Sequence, residues 1–204
     1  MSRLSNKRGF TLLELLLALV MLTIVLGAIY STFFLSHRAV TTVDESLLKL
    51  QECRMFIDTL SSEIDSSIYL PGNTMTGMKI EDRDIYGKQT SRFTFTALSP
   101  VRPGLSQITY YIENQDNNLV LLKKMFYPYR AESQQKSLAT PIELIEGVDS
   151  FTLEARNGTS WIKTWDTAAT GKVPDELRIT ITFKIGEKLL TLYETMKPKI
   201  GQML

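Results

Sequence analysis

The chain has 204 residues and a formal net charge of +1, a length that suits one domain and an additional anchoring segment. A charge this close to zero gives no electrostatic basis for binding nucleic acid, and we predict none. The charges are unevenly placed, because Arg3, Lys7 and Arg8 stand in the first nine residues with no acidic residue beside them. These nine residues therefore form a basic segment distinct from the rest of the chain.

An apolar run from Leu15 to Leu35 follows the basic segment. About 20 apolar residues span the hydrocarbon core of a bilayer, so the run predicts a transmembrane helix. Basic residues are enriched on the cytoplasmic side, which predicts a cytoplasmic N-terminus and a head beyond the membrane. A secretory signal peptide is the alternative, but its apolar region is shorter, about 7–15 residues, and Gly27-Ala28-Ile29 is a poor cleavage site.

One carboxylate, Glu14, stands at the head of the apolar run. A charge at membrane depth costs about 2.5–3.5 kcal/mol on insertion scales, so this residue needs a compensating partner. Cleavage between Gly9 and Phe10 would create an α-amino group four residues before Glu14. The two charges could pair between neighbouring chains or within one chain across a helical turn, and the sequence leaves both arrangements open.

The N-terminal segment resembles the signal of type IV prepilins and type II secretion pseudopilins over Arg8-Gly9-Phe10-Thr11-Leu12-Leu13-Glu14. The resemblance implies that a prepilin peptidase cuts after Gly9 and that Phe10 becomes the N-methylated first residue. It also implies that Glu14 pairs with the terminal ammonium of a neighbouring subunit in a filament. Residues 1–9 would then be the leader, with Arg3, Lys7 and Arg8 as its basic residues.

The helix is predicted to continue beyond the membrane, from Phe10 to about Ser67, because no proline occurs before Pro71. Residues 10–35 would form the transmembrane part and residues 36–70 an amphipathic part. An apolar stripe with gaps of three or four residues supports this second part. Its members are Val40, Val43, Leu47, Leu50, Cys53, Ile57, Leu60, Ile64 and Ile68. We expect the stripe to pack on a sheet, and a parallel coiled coil is the alternative.

Residues 71–204 are predicted to form a β-rich head, because their apolar residues alternate with polar ones. Predicted strands cover 93–97, 108–112, 119–122, 151–155, 177–183 and 189–193, with a hairpin turn at 115–118. The predicted class is α+β, with the long helix packed on antiparallel sheet as in pilins. Residues 71–90 and 129–141 are expected to be the least ordered.

The second half resembles the J-type minor pseudopilins of type II secretion in the order of Trp161, Trp165, Pro174 and the strand from Leu177. This resemblance implies a structural subunit in the tip of a pseudopilus, with K-type and I-type minor pseudopilins as partners. Export of folded proteins across the outer membrane would be its purpose. A W-type minor pilin of a type IV pilus is the alternative, and a membrane-anchored periplasmic binding module is a further one.

The sequence contains no residue pattern that indicates catalysis or the binding of a metal or cofactor. We therefore predict that the protein is not an enzyme and that it binds no metal and no cofactor. His37 is the only histidine and stands at the expected membrane exit. Cys53 is the only cysteine and is expected to be buried and inert. Glu81, Asp82 and Asp84 could contact calcium, but a solvated acidic segment is the favoured interpretation. Trp161 and Trp165 are expected to be core or loop-packing residues, with an interface role as the alternative.

Overall fold

The computed structural model describes residues 11–73, 75–98, 104–116, 118–127, 140–185 and 188–199. The chain divides into two compact units, Met1–Leu47 and Leu48–Leu204. Helix α1, Leu12–Asp65, contributes its first part to one unit and its last part to the other. Most of the segment 129–141, predicted to be poorly ordered, lies outside the described residues.

The first unit consists, in its described part, of the apolar portion of α1. Every side chain from Thr11 to Thr41 is exposed, and the large apolar ones include Leu12 at 87% and Leu35 at 64% exposure. By its length and composition, this helix is long and apolar enough to cross a membrane. A helix that is apolar on all sides is typical of a membrane span. The predicted apolar helix is therefore confirmed, and it fits a single-pass anchor.

In its described residues, the second unit holds ten strands and a short helix besides the end of α1. The strands are β1 Met78–Ile85, β2 Lys88–Leu98, β3 Leu105–Gln115, β4 Asn118–Phe126, β5 Ile142–Glu146, β6 Val148–Asn157, β7 Ser160–Ile162, β8 Trp165–Asp166, β9 Leu177–Ile185 and β10 Lys188–Met196. Helix α2 covers Thr167–Thr170. The main sheet order is β10-β9-β6-β2-β3-β4-β5, while β1 pairs with β2 and β8, and β7 pairs with β6.

This arrangement confirms the predicted α+β class, with one refinement to the sheet. The pairings are mostly antiparallel, but β2 and β6 meet in parallel at Thr90 and Phe151. The backbone N–H of Leu153 also donates to Ser91 Oγ at 2.9 Å, which strengthens this junction. The sheet is therefore mixed and curled, because β2 joins β6 near its start and β3 along its second half.

The prediction of low order for residues 71–90 is wrong over most of its length. Strand β1 pairs with β2 along its whole length, from Met78 opposite Phe95 to Ile85 opposite Lys88. The charged residues of β1 made the strand difficult to predict from the sequence, although Met78 and Ile80 alternate with polar residues and are buried. Tyr86 and Gly87 both have positive φ, 54° and 79°, which is the geometry of a tight hairpin turn.

Helix α1 ends at Asp65, slightly before the predicted end near Ser67. Ser67 forms an isolated antiparallel bridge with Ala97 of β2. The backbone N–H of Ile68 then donates to the carbonyl of Thr96 at 2.8 Å. The chain therefore passes from the helix directly to the end of β2, and Ile68 belongs to this connection.

The helix packs on the sheet through its last part, as predicted. Cys53, Phe56, Leu60 and Ile64 are buried at intervals of three or four residues. The earlier stripe residues Val40, Val43 and Leu47 are more than half exposed. The ring of Phe56 makes edge contacts with Tyr110 of β3 and Phe151 of β6, at centroid distances of 5.6 and 5.9 Å. Phe56 therefore packs α1 against strands on both sides of β2 in the curled sheet.

Candidate functional site

The predicted processing site lies outside the described residues. Gly9 and Phe10 precede the first described residue, Thr11, and so do the basic residues Arg3, Lys7 and Arg8. The peptidase cleavage, the N-methylation and the role of the leader therefore remain predictions. Glu14 lies within the described residues, and its hydrogen bonds show how the N-terminal end of α1 is formed.

Thr11 and Glu14 form a reciprocal capping box at the start of α1. The backbone N–H of Glu14 donates to Thr11 Oγ1 at 3.3 Å. In return, Glu14 Oε2 accepts the backbone N–H of Thr11 at 3.1 Å and the Thr11 hydroxyl at 3.2 Å. Because the first turn of a helix has no internal acceptors for its N–H groups, these bonds satisfy donors that would otherwise have no partner within the helix.

This geometry gives Glu14 a local role that the sequence analysis did not assign. From the sequence, Glu14 was predicted only as one member of a charge pair, and its hydrogen bonds with Thr11 were not predicted. The signal was readable, since a threonine followed three residues later by a glutamate before an apolar run is typical of a capping box. Both hydrogen bonds use Oε2, so Oε1 makes no hydrogen bond to any residue in the described part. One oxygen of Glu14 can therefore accept from an ammonium while the cap stays intact.

A second polar group stands inside the head, where the sequence gave no indication of it. Glu63 of α1 forms an ion pair with Lys123 of β4, and their side chains are only 1% and 8% exposed. The Tyr110 hydroxyl of β3 donates to the other carboxylate oxygen, Glu63 Oε2, at 2.5 Å. Lys123 Nζ also lies 5.5 Å from the centroid of the Tyr110 ring. Burial and the adjacent Glu63 carboxylate raise the pKa of Tyr110 far above its usual range.

His37 and Cys53 both have surroundings that do not favour reactivity. The ring of His37 is exposed and lies 6.3 Å from the ring of Phe33. Cys53 is fully buried, and burial raises the pKa of its thiol to about 11. A thiol that stays protonated at neutral pH is a poor nucleophile.

The acidic segment of β1 is occupied by local partners. Glu81 forms ion pairs with Lys79 at 2.8 Å and Arg83 at 3.7 Å, and the first of these chiefly lowers the pKa of the Glu81 carboxyl. Asp84 accepts the backbone N–H of Gly87 at 2.7 Å in the hairpin turn. Within the described ranges, no group of three or more His, Cys, Asp or Glu side chains could hold a metal ion.

The two tryptophans differ in their environments. Trp165 is buried, and its indole Nε1 donates to the carbonyl of Lys172 at 3.3 Å, so it belongs to the core. Trp161 is partly exposed, and the guanidinium of Arg178 lies 3.9 Å from the centroid of its ring. The core interpretation therefore holds for Trp165, while Trp161 is a surface residue covered by an arginine.

The N-terminal segment identifies the class of the protein through its match to a family model. Residues 4–30 match the family described as the prokaryotic N-terminal methylation motif. This match covers Lys7 and Arg8, the Gly9-Phe10 junction, Glu14 and most of the apolar run. The chain is therefore of the type IV prepilin-like class, in agreement with the resemblance found in its sequence.

The rest of the chain defines the family within this class. Residues 31–195 match the family described as Type II secretion system (T2SS), protein J. The chain belongs to this family and is a minor pseudopilin of type II secretion. A search of curated proteins returned no match. The match covers most of the chain, including almost every strand of the head, and gives no support to the alternative of a pilus subunit.

Proposed function

We propose that this chain is a structural subunit at the tip of the pseudopilus, and that it is not an enzyme. It would help to initiate the pseudopilus that exports folded proteins across the outer membrane. The observation that carries the proposal is the match of residues 31–195 to the protein J family. The inert surroundings of His37 and Cys53 agree with a structural role.

The proposed maturation begins at the N-terminus. The prepilin peptidase would cleave between Gly9 and Phe10 and methylate the new amino group of Phe10. Residues 1–9 would be the leader, 10–35 the membrane span, 36–70 the helix entering the head, and 71–204 the periplasmic head. The basic residues of the leader support a cytoplasmic N-terminus in the inner membrane, because Lys and Arg are enriched on that side.

The proposed assembly step uses Glu14. Its Oε2 caps the first turn of α1 through Thr11, and its Oε1 has no hydrogen bond within the described residues. The methylated ammonium of a neighbouring subunit would occupy this second oxygen. Because each charge alone is costly in a low-dielectric medium, the pair would favour one register of subunit against subunit.

The proposed partners are the prepilin peptidase, the K-type and I-type minor pseudopilins, and the remaining pseudopilus. Membership of the protein J family supports association with the pseudopilus, and the methylation motif supports the peptidase. The contacts would involve exposed helix surface and the head. The large apolar side chains of α1 up to Leu35 suit either lipid or the helices of neighbouring subunits.

The first experiment determines the N-terminus of the protein purified from membranes. Mass spectrometry should find N-methylated Phe10 as the first residue. A Gly9→Leu variant, in which a bulky side chain blocks the cleavage position, should keep the leader and serve as the control. An intact leader in the unmodified protein, or a first residue near Ala28, would contradict the prepilin-type maturation.

The second experiment identifies the partners. The tagged full-length chain is cross-linked in its own membranes, and the recovered proteins are identified by mass spectrometry. The proposal expects K-type and I-type minor pseudopilins, and the Glu14→Val variant should recover less of both. Recovery of pilus subunits instead would favour a W-type role, and recovery of neither set would favour a separate binding module.

A further inference from the structure

The sheet face turned away from α1 carries a polar concavity of about 350 Å³. Its lining comes from three adjacent strands and consists of Arg92, Gln107, Thr109, Tyr111, Lys124 and Phe126. Successive side chains of a strand point to opposite faces, and Tyr110 and Lys123 face the helix, so Tyr111 and Lys124 face the other way. The register places Thr109 opposite Lys124 and Gln107 opposite Phe126. The six side chains therefore share one continuous patch of the sheet.

Arg92 is the residue in this concavity that lacks an expected partner. Its side chain is partly buried, and its Nε is fully buried with no hydrogen-bond acceptor among the described residues. The guanidinium lies 5.1 Å from the centroid of the Tyr111 ring, which holds it over the concavity. A ligand cannot reach this buried Nε, but the two terminal nitrogens of the guanidinium are not buried in this way, and they form no hydrogen bond or ion pair within the described residues. Polar donors in folded proteins are normally satisfied by protein, water or an ion. The terminal nitrogens of Arg92 are therefore available to an acceptor from outside this chain.

The carboxylate that stands opposite Arg92 on the adjacent strand is already engaged by other cations. Glu81 stands directly opposite Arg92 in the pairing of β1 with β2. Its two oxygens form ion pairs with Lys79 at 2.8 Å and with Arg83 at 3.7 Å. Lys124 is exposed and has no ion pair in the part of the chain that the structure describes. Arg92 and Lys124 therefore give the concavity a local excess of positive charge.

We propose that this concavity binds a carboxylate through Arg92 and Lys124. The planar guanidinium donates in parallel to both oxygens of a carboxylate, and the ammonium adds a second cation from the adjacent strand. The hydroxyl of Thr109 and the amide of Gln107 offer further polar contacts, while Tyr111 and Phe126 provide apolar walls. A free small carboxylate and an acidic side chain of another protein share this chemistry. The inference goes beyond the assembly function and does not depend on it.

The test uses the full-length protein in detergent micelles and follows arginine Nε–H signals by heteronuclear NMR. Sodium acetate is titrated against sodium chloride at constant ionic strength, with acetamide as the uncharged control. One Nε–H signal should shift and saturate with acetate only, and Arg92→Lys should remove that signal. A second titration uses a blocked pentapeptide with one central glutamate, and its counterpart with glutamine. If the glutamate peptide binds at least about tenfold more tightly than acetate, the site is assigned to a protein segment. If the peptide and acetate bind equally, the site is assigned to a free small carboxylate.

Variants make the proposal falsifiable. Arg92→Gln should weaken acetate binding about 10- to 100-fold, because hydrogen bonds to charged groups are the strong ones. Lys124→Gln should weaken it less, and Lys184→Gln, an exposed lysine of β9 outside the concavity, should not change it. Because Lys124 is exposed, Lys124→Gln should fold without disturbing the core. If Arg92→Gln does not fold, acetate binding by Lys124→Gln decides the outcome. A shift that does not saturate, that chloride reproduces, or that Lys124→Gln leaves unchanged would overturn the proposal.

Discussion

Glu63 of α1 and Lys123 of β4 form an ion pair inside the head, with side chains that are 1% and 8% exposed. The Tyr110 hydroxyl completes the site by donating to the second carboxylate oxygen at 2.5 Å. A buried carboxylate is tolerated when its oxygens are paired and hydrogen-bonded, as they are here. The pair and the Tyr110 hydroxyl join the end of α1 to strands β4 and β3, so they help to fix the position of this part of the helix on the sheet.

We expect the loss of one member to be far more costly than the loss of both. Lys123→Met leaves the Glu63 carboxylate buried beside Tyr110 alone and should lower the free energy of unfolding by about 3–5 kcal/mol. Combining Glu63→Leu, Lys123→Met and Tyr110→Phe removes every buried polar group of the site and should restore much of the loss. Urea unfolding, followed by circular dichroism, measures both changes.

The matched control for this series is Lys124→Met, since Lys124 is the exposed neighbour of Lys123 on the same strand. It should change the free energy of unfolding by no more than about 0.5 kcal/mol. A loss for the combined variant as large as that for Lys123→Met would show that the ion pair itself stabilises the head.

The contact of Phe56 with both halves of the sheet gives a second prediction. Phe56→Ala removes a ring that is only 5% exposed and should lower the free energy of unfolding by about 3–5 kcal/mol. Met55→Ala changes a neighbour that is 62% exposed and should have little effect. Thermal unfolding of the two variants compares them, and equal midpoints would show that this part of α1 does not pack as described.

The Cys53 thiol predicts a loss of stability at alkaline pH. Its pKa is about 11 in the folded chain against 9.0 for an ordinary thiol, because burial disfavours the thiolate. The unfolded chain therefore releases the proton first, and stability should fall as the pH rises from about 9 to about 11. Below about pH 9 the thiol is protonated in both states and has no effect. Tyr110 acts in the same direction at higher pH, because its pKa is also raised.

Cys53→Ala separates the two contributions. Urea midpoints of this variant should stay level through the first part of the range and fall only where tyrosine ionises. The unmodified chain should begin to fall earlier. Parallel curves for the two proteins would mean that the thiol does not titrate differently on unfolding.

Glu14 has two functions that a pair of variants can separate. Glu14→Gln keeps an oxygen that caps Thr11 but removes the charge, whereas Glu14→Val removes both. If charge pairing drives assembly, both variants should be cleaved normally and both should fail to enter the pseudopilus. Cross-linking of assembled subunits in membranes measures this. Normal assembly of Glu14→Gln alone would assign the role of Glu14 to the helix cap.

The main features of the chain could be predicted where the pattern is local. The apolar run forms one long helix, and the alternating residues from Phe93 to Ala97 and from Leu177 to Phe183 lie in β2 and β9. The hairpin of β3 and β4 turns at Asp116, as its polar residues indicated. These elements follow from hydrophobic periodicity and turn chemistry, which are properties of neighbouring residues.

Strand β1 shows where such reasoning fails. Its charged residues suggest a loop, yet its whole length pairs with β2, because the tight turn at Tyr86 and Gly87 folds it back on a strongly patterned strand. Pairing by backbone hydrogen bonds does not require an apolar side chain on the outer face. The short strands β5, β7 and β8 were missed because they depend on their neighbours in the same way.

The sequence by itself determined that this protein has a prepilin-type N-terminus, an apolar helix and a β-rich head. Each of these follows from the order of residues within one segment. Only the tertiary structure decided that Glu63, Tyr110 and Lys123 meet inside the head, and that Arg92 and Lys124 line one concavity. These residues are distant in the chain, so their proximity depends on strand order and register, which periodicity within one segment does not specify.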